Sequence, residues 1–459
     1  MLLRFGVENH GSIRGYQELQ LTATNLKDSE EGLIHQGDAS AEGSRVLRLL
    51  PVAGIYGANA AGKSTLLNAF DFFLNAIRLS HAGVAKRTGT PYIPFILDLE
   101  SRSTPSRYDV DIVLESTRYH YGFSLDGKRI VQEWLYSFDL TASRQVRSVM
   151  FARETSPEGI VEVIFPGKSL KGENKQIAKL VRPNSLFLSV AAQNSHPQIS
   201  AMFEFFEQVV SRLNAQVDEV SIVNQLTAYL GLDEQRKAAA LKFLKAADIG
   251  ISDINFSKIP LKEKEVQIIK DIEQLFRQHA NIPASDRALF SDDDLKEKVT
   301  VKLMHLGKDG KTYPIPLAEE STGTQALLQL LGPVFARLHA GGTVLIDELN
   351  TALHPLVSRE LIKLFQNPIT NPGRAQLIFT THDTNLLTGS LLRRDQIWFA
   401  EKDVEGATHL FSLSDIKVRS TDNIERGYLM GRFGAIPFVG CGLDEFASMF
   451  GKHPEQVAT

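Results

Sequence analysis

Cysteine is nearly absent from this chain. Cys441 stands alone among 459 residues, which excludes an internal disulfide framework and a multi-cysteine zinc site. One thiol suits a reducing compartment. Long apolar runs are missing too. None approaches the ~18 residues of a membrane-spanning helix, and the opening Met1-Leu2-Leu3-Arg4-Phe5 lacks a signal-peptide layout. The expectation is a cytoplasmic protein with no membrane partner. Charge does not lean to one sign: 50 lysines and arginines stand against 54 acids, a net charge of -4, so no overall basic field points to nucleic acid. A local basic patch stays open. Internal repeats and low-complexity tracts are absent. What remains is a chain of ordinary globular composition, long enough for two or three structural units.

The hydrophobic pattern divides that length. Residues 2–7 and 16–22 read as strand, turn, strand, and 24–46 as polar loop. The apolar run 49–56 meets Gly57 and predicts a buried strand. Helical spacing follows over 63–79 through Leu66, Leu67, Ala69, Phe70, Phe73, Leu74 and Ile77. The period then changes to two. Antiparallel strands are expected at 108–114, 119–125 and 129–135, with turns at 115–118 and 126–127. Stretches 198–248 and 261–280 predict helices, and 281–294 a loop. A hairpin is expected at 299–306 and 310–316, a helix kinked at Pro333 over 325–339, and strands at 343–346 and 377–380. The expected architecture is α/β, with a mixed sheet, an antiparallel β subdomain and a helical insertion. Residues 1–197 would form the N-terminal half of one domain, 198–298 the insertion, and 299–459 the C-terminal half.

Four motifs carry chemistry. The first is Gly57-Ala58-Asn59-Ala60-Ala61-Gly62-Lys63-Ser64, followed by Thr65, between an expected strand and an expected helix. Its glycines let the backbone wrap phosphates with inward N–H groups, and the helix adds its positive end. Lys63 would reach the β- and γ-phosphates of ATP, and Ser64 would offer a hydroxyl to Mg²⁺. The second is Thr343-Val344-Leu345-Ile346-Asp347-Glu348, an apolar strand ending in two acids. Ligands gather at carboxyl ends of such strands. Asp347 would hold the magnesium and Glu348 would polarise the attacking water. Alone, such a run also fits a strand that ends in solvated acids. The third is Glu319-Glu320-Ser321-Thr322-Gly323-Thr324-Gln325. Ser321 or Thr322 could cap the following helix, or the turn could be a second anion site that grips a γ-phosphate from a facing subunit. The fourth is Ile378-Phe379-Thr380-Thr381-His382-Asp383, whose imidazole could touch the γ-phosphate or the water.

In this order the four motifs resemble the ABC-type ATPase head of SMC and double-strand-break-repair proteins. The resemblance implies a Walker A at 57–64, a signature at 321–324, a Walker B ending in Asp347-Glu348, a D-loop near 351–354 and an H-loop at His382. Segment 186–193 is similar to the Q-loop of those heads, which implies a Mg²⁺- and γ-phosphate-sensing role for Gln193.

A closer likeness is carried by Glu320-Ser321-Thr322-Gly323-Thr324-Gln325, by Asp347-Glu348 with Leu353-His354-Pro355, and by the tail Gly431-Arg432-Phe433-Gly434-Ala435-Ile436-Pro437. Together they resemble the abortive-infection ATPases of bacterial antiphage systems, relatives of the overcoming-lysogenisation-defect nucleases, over nearly the whole chain. The signature reads Ser-Thr-Gly-Thr where many ABC heads have Ser-Gly-Gly-Gln. The stretch after His382 is short for the acid-rich nuclease domain of those relatives.

The resemblance implies an ATP- and Mg²⁺-dependent switch. It would act as a homodimer or higher oligomer that sandwiches ATP between the loop of one copy and Ser321 of another. A separate nuclease-like effector would do the damage, and a phage protein or nucleic acid would be the trigger. Two other expectations compete: an SMC-like DNA-binding repair ATPase, and a nuclease using Asp292, Asp293 and Asp294. In 261–280 Lys262, Lys264, Lys270 and Arg277 alternate with Glu263, Glu265, Asp271 and Glu273, which suits a solvated helix better than a phosphate-tracking stripe.

Overall fold

The five residues Val52–Tyr56 are all buried, and they form the strand on which the rest is laid. They belong to a computed structural model that describes residues 1–37, 46–81, 89–142, 144–213, 219–231, 233–247, 250–280, 296–351, 353–419 and 422–436. Cys441, Asp292, Asp293, Asp294, Ala352 and Pro437 lie outside the described residues, as does the expected loop 281–294.

The chain opens with β1 (Leu2–Glu8), β2 (Gln17–Gln20), β3 (Ile34–Gln36), β4 (Leu47–Leu49), β5 (Val52–Tyr56) and α1 (Lys63–Leu79). Five strands follow: β6 (Ser106–Leu114), β7 (Thr117–Leu125), β8 (Ile130–Asp139), β9 (Ser148–Thr155) and β10 (Val161–Ile164). Next come α2 (Asn174–Ala178), α3 (Phe187–Gln193), α4 (Ile199–Glu207), β11 (Val210–Leu213), α5 (Glu219–Leu230), α6 (Glu234–Ala246), β12 (Ile251–Pro260) and α7 (Glu263–Ala280). The order closes with β13 (Glu297–Leu306), β14 (Thr312–Pro316), α8 (Thr322–Ala340), β15 (Thr343–Ile346), α9 (Pro355–Gln366), β16 (Gln376–Thr380), β17 (Ile397–Lys402), β18 (Thr408–Ser412) and α10 (Ile424–Leu429).

Two large sheets result. One runs β11-β15-β16-β5-β17-β18, parallel as far as β17, with β18 antiparallel at its edge. The other is antiparallel, in the order β10-β9-β8-β7-β6-β1-β2. Alternation decides how they stack. Ala53, Ile55, Leu345, Ile378, Trp398 and Ala400 face one core, shared with α1 and the antiparallel sheet. Their neighbours Val52, Tyr56, Val344, Ile346, Leu377, Phe379, Ile397 and Phe399 face the other, shared with α5, α8 and α9. A parallel strand covered on both faces reads as one unbroken apolar run, because the period of two puts each neighbour into a different core. The side of α1 that carries Leu66, Phe70, Phe73 and Ile77 is therefore clamped between two sheets. Phe73 stacks on Phe123 of β7 at 5.5 Å and Phe70 on Phe5 of β1 at 4.4 Å.

The mixed sheet and the antiparallel β layer match the expected α/β class. The stretch 198–248, expected to be helical, also holds β11, which pairs parallel with β15 and forms the edge of the central sheet. Four residues between two helices are too few to show a period, and pairing with β15 decides their state. Likewise β12, a ten-residue strand within the expected insertion, pairs with β13. A register shift between Ile251 and Asp253 breaks its alternation and hides the strand from pattern reading. The expected loop 24–46 contains β3, and α8 continues through Pro333. Among the described residues no helix is long and apolar enough to cross a membrane.

Candidate nucleotide site

β5 delivers the chain to Gly57 and α1 departs at Lys63, so residues 57–62 form the turn between a buried strand and a helix N-terminus. The turn is tight on both sides. Gly57 (φ 155°) lies against the Ala400 carbonyl of β17, and Gly62 (φ 100°) against the Thr408 hydroxyl of β18; a Cβ at either would collide. Ala60 also takes a positive φ of 63°, in the middle of the loop. Asn59 and Ala60 are exposed at its tip, while Ala61 is buried. Thr408 Oγ1 donates to the Ala61 carbonyl (3.1 Å), and Ser12 Oγ donates to Thr65 Oγ1 (3.0 Å). Thr408 of β18 thus anchors the loop, and Ser12 the first turn of α1. Lys63 is buried, and its Nζ donates to the Gly57 and Ala58 carbonyls at 2.8 and 2.9 Å. Burial lowers its pKa, opposed by the charges of Glu348 and Asp347.

The acids stand beside this turn. The β15–β16 register pairs Ile346 with Phe379, so the next residues, Asp347 and Thr380, come together at the carboxyl ends of both strands. Asp347 is buried. Its Oδ1 accepts from Thr380 Oγ1 at 2.5 Å and from Ser64 Oγ at 3.1 Å. The Glu348 N–H donates to Thr380 Oγ1 (2.8 Å), and the Leu349 N–H to the Thr380 carbonyl (2.9 Å). Glu348 has φ 53°, a left-handed backbone uncommon for its type. Its side chain is exposed and accepts from Thr351 Oγ1 at 3.0 Å. Backbone strain of this kind concentrates at functional sites.

His382 follows β16 at the same sheet edge. Asn350 ties it to the acids. Asn350 Oδ1 accepts from Thr381 Oγ1 (2.7 Å) and from the His382 N–H (3.2 Å), and its amide nitrogen lies 2.9 Å from His382 Nε2. One amide therefore fixes both the backbone and the ring of His382.

Gln193, Ser321 and Gly323 stand elsewhere. Gln193 is the exposed last residue of α3. That helix starts on the buried Glu133 of β8, whose carboxylate accepts the Phe187 and Leu188 N–H groups at 2.7 and 3.0 Å. Its Ser189 donates to the Ile77 carbonyl (2.6 Å), in the last turn of α1 and so at the end opposite Ser64. Ser321 caps α8, with Oγ accepting the Thr324 N–H at 3.2 Å, and is exposed, with Gly323 half-buried behind it. Among the described residues no hydrogen bond joins Gln193, Ser321 or Gly323 to residues 57–65, Asp347, Glu348 or His382.

The donor set fits Mg²⁺. Ser64 Oγ and Asp347 Oδ1 are adjacent hard oxygens, and among the described residues no cluster of three or more His, Cys, Asp or Glu forms a protein-only cage. Magnesium is commonly held by one or two carboxylates plus substrate phosphates. Lys63, Ser64, Asp347, Glu348 and His382 can then bind phosphate charge and activate a water in one place.

Sequence reasoning left Thr380, Asn350, Ser12 and Thr408 without a role. Thr380 lay inside a recognised motif, and its function depends on the β15–β16 register. Asn350 stands two residues past Glu348, close enough to the strand-end acids that it could have been weighed. Ser12 and Thr408 carry no local signal, being 53 and 343 residues from Thr65 in sequence.

None of the curated proteins matches the chain. Solved structures similar to it include an SMC head domain from Thermotoga maritima (11% identity, 91% of this chain and 99% of that one, TM-score 0.36). Others are an SmcHead bound to the C-winged helix domain of ScpA (13%, 90% and 97%, TM-score 0.35) and an Smc head with an extended coiled coil, bound to the C-terminal domain of ScpA derived from Pyrococcus furiosus (12%, 94% and 98%, TM-score 0.32). Scores this low carry no residue roles across. Residues 52–388, from the first residue of β5 to the segment just beyond His382, match the family described as "AAA domain, putative AbiEii toxin, Type IV TA system", and the chain belongs to that family.

Proposed function

We propose that the chain is an ATP-binding and ATP-hydrolysing switch of a bacterial abortive-infection system, working as a head-to-tail dimer or larger oligomer that controls a separate effector. The observation that carries the catalytic half is the contact of Ser64 and Asp347, held by Thr380 beside Glu348 and His382. In this reading the loop amides and the N-terminus of α1 bind the phosphates. Lys63 turns from the Gly57 and Ala58 carbonyls toward the β- and γ-phosphates. Ser64 and Asp347 hold Mg²⁺, which when bound neutralises phosphate charge. Glu348 accepts a proton from the attacking water, and His382 orients the γ-phosphate.

The exposed N-cap at Ser321 supports the oligomeric half. Its helix end is open to a phosphate on a second copy, and only the closed state gains those contacts, so ATP biases closure. The family's description, which names a toxin and a toxin–antitoxin system, supports an abortive-infection context. Ile268 and Ile272 of α7 are each 56% exposed, which supports a protein-facing surface for an effector over a DNA-tracking one. The test is ATP turnover and nucleotide binding by the purified chain. Lys63→Ala should abolish binding. Glu348→Gln should keep binding and lose at least a hundredfold in turnover, in the range for an essential catalytic group. Unchanged turnover in Glu348→Gln would overturn the assignment.

A further inference from the structure

The tail at residues 431–436 has a sequence specific enough to carry part of the family likeness, and it lies outside the strand-end residues of the candidate site. In the fold it ends on the phosphate loop. The Ala58 N–H donates to the Ala435 carbonyl at 2.9 Å, across more than 370 residues of sequence. The Tyr428 hydroxyl donates to that same oxygen at 3.0 Å, and the Ala435 N–H donates to Glu401 Oε2 of β17, also at 3.0 Å. The turn is built for the reach. Gly431, Gly434 and Ala435 have φ of 74°, 71° and 57°, and a Cβ on Gly434 would sit 2.7 Å from Glu401 Oε2. Phe433 is buried on Phe399 of β17 (ring centroids 6.0 Å apart), and Tyr428 also stacks on Phe399, at 5.4 Å. Phe399 is paired in register with Tyr56, the residue before the loop.

Ala58 is also where the loop folds on itself. Its carbonyl accepts from Lys63 Nζ (2.9 Å) and from the Ala61 N–H (3.2 Å). A contact that fixes Ala58 on its N–H side therefore fixes the residue that holds Lys63 before phosphate arrives. We propose that residues 431–436 are a positioning element of the nucleotide site: the tail carbonyl sets Ala58, and through it the loop on which Lys63 rests, in the conformation that receives phosphate. Its residues touch the loop and leave the reacting atoms to others, so its effect falls on nucleotide affinity and little on the chemical step. This rests on the ATP-binding reading proposed above.

The experiment uses the full chain and a fluorescent ATP analogue, with turnover and thermal midpoint measured in parallel. Glu401→Ala removes the acceptor for Ala435 N–H, and Gly434→Val forces the turn apart. Each should weaken the analogue about tenfold, in line with losing a hydrogen bond to a charged group, with kcat at saturating ATP within about twofold. Glu401→Gln keeps an acceptor and should recover most of the affinity lost in Glu401→Ala. Should Gly434→Val fail to fold, the Glu401→Ala and Glu401→Gln pair decides. Wild-type binding with equally tight binding by Glu401→Ala overturns the positioning role alone. Failure of the wild-type chain to bind the analogue overturns the ATP-binding reading and this inference with it.

Discussion

The Thr380 hydroxyl lies between the Asp347 carboxylate, 2.5 Å away, and the Glu348 amide, 2.8 Å away. One hydroxyl donates its proton to the first and accepts from the second, so it sets the carboxylate's rotation and the backbone turn that aims Glu348. Thr380→Val keeps the shape and removes both bonds. The expected outcome is at least a tenfold loss of turnover with a weaker apparent affinity for Mg²⁺, while Thr380→Ser stays near wild type. A Mg²⁺ titration of ATP hydrolysis checks this; a Thr380→Val curve that overlays the wild-type curve would sink the idea.

Asn350 has a different expected signature. It holds His382 by backbone and ring but touches neither the loop nor Asp347 among its hydrogen bonds. Asn350→Leu should lower kcat about tenfold or more, within the range of a mispositioned catalytic group, and leave ATP affinity within about twofold. Equal losses in both quantities would show that Asn350 supports the fold generally.

Ser321 tests the composite site. It is exposed, and among the described residues its side chain is bonded only within its own turn. In the Glu348→Gln background ATP should drive dimerisation, seen by light scattering on a sizing column. Adding Ser321→Arg should abolish that dimer and leave ATP binding by the single chain intact. A dimer that survives Ser321→Arg places the second phosphate contact elsewhere.

The antiparallel sheet supplies a pH dependence. Burial raises the Asp111 pKa, but the hydrogen bond from His120 (2.5 Å) and the charges of Arg118 and Arg4 outweigh it and hold the carboxyl at about 2. A folded value below the unfolded one stabilises the native state above about pH 4, and that contribution fades as pH falls toward 2. At neutral pH it is worth roughly 2 kcal/mol. Asp111→Asn should lower the denaturant midpoint at pH 7, with the gap to wild type narrowing below pH 4. A gap that stays constant between pH 7 and pH 3 would contradict it.

Much of the candidate site was legible because its pieces are local. The loop at 57–64, the strand-end acids 347 and 348 and the strand-end His382 each follow a strand that its own residues define, and α1 shows its whole apolar face within seventeen residues. The antiparallel strands were legible for the same reason. β11 and β12 were not: one is four residues long, and the other carries a register break.

By itself the sequence determined that a glycine-framed loop, an acid pair and a histidine exist, and that each ends or follows a strand, because turn chemistry and periodicity act over a few residues. Only the tertiary structure decided that Thr380 orders the acids, that Asn350 ties His382 to the acid turn, and that the tail at Ala435 holds Ala58. Those contacts depend on which strands become neighbours and in what register. That is settled by burying both faces of the parallel sheet at once, and no local stretch of sequence contains it.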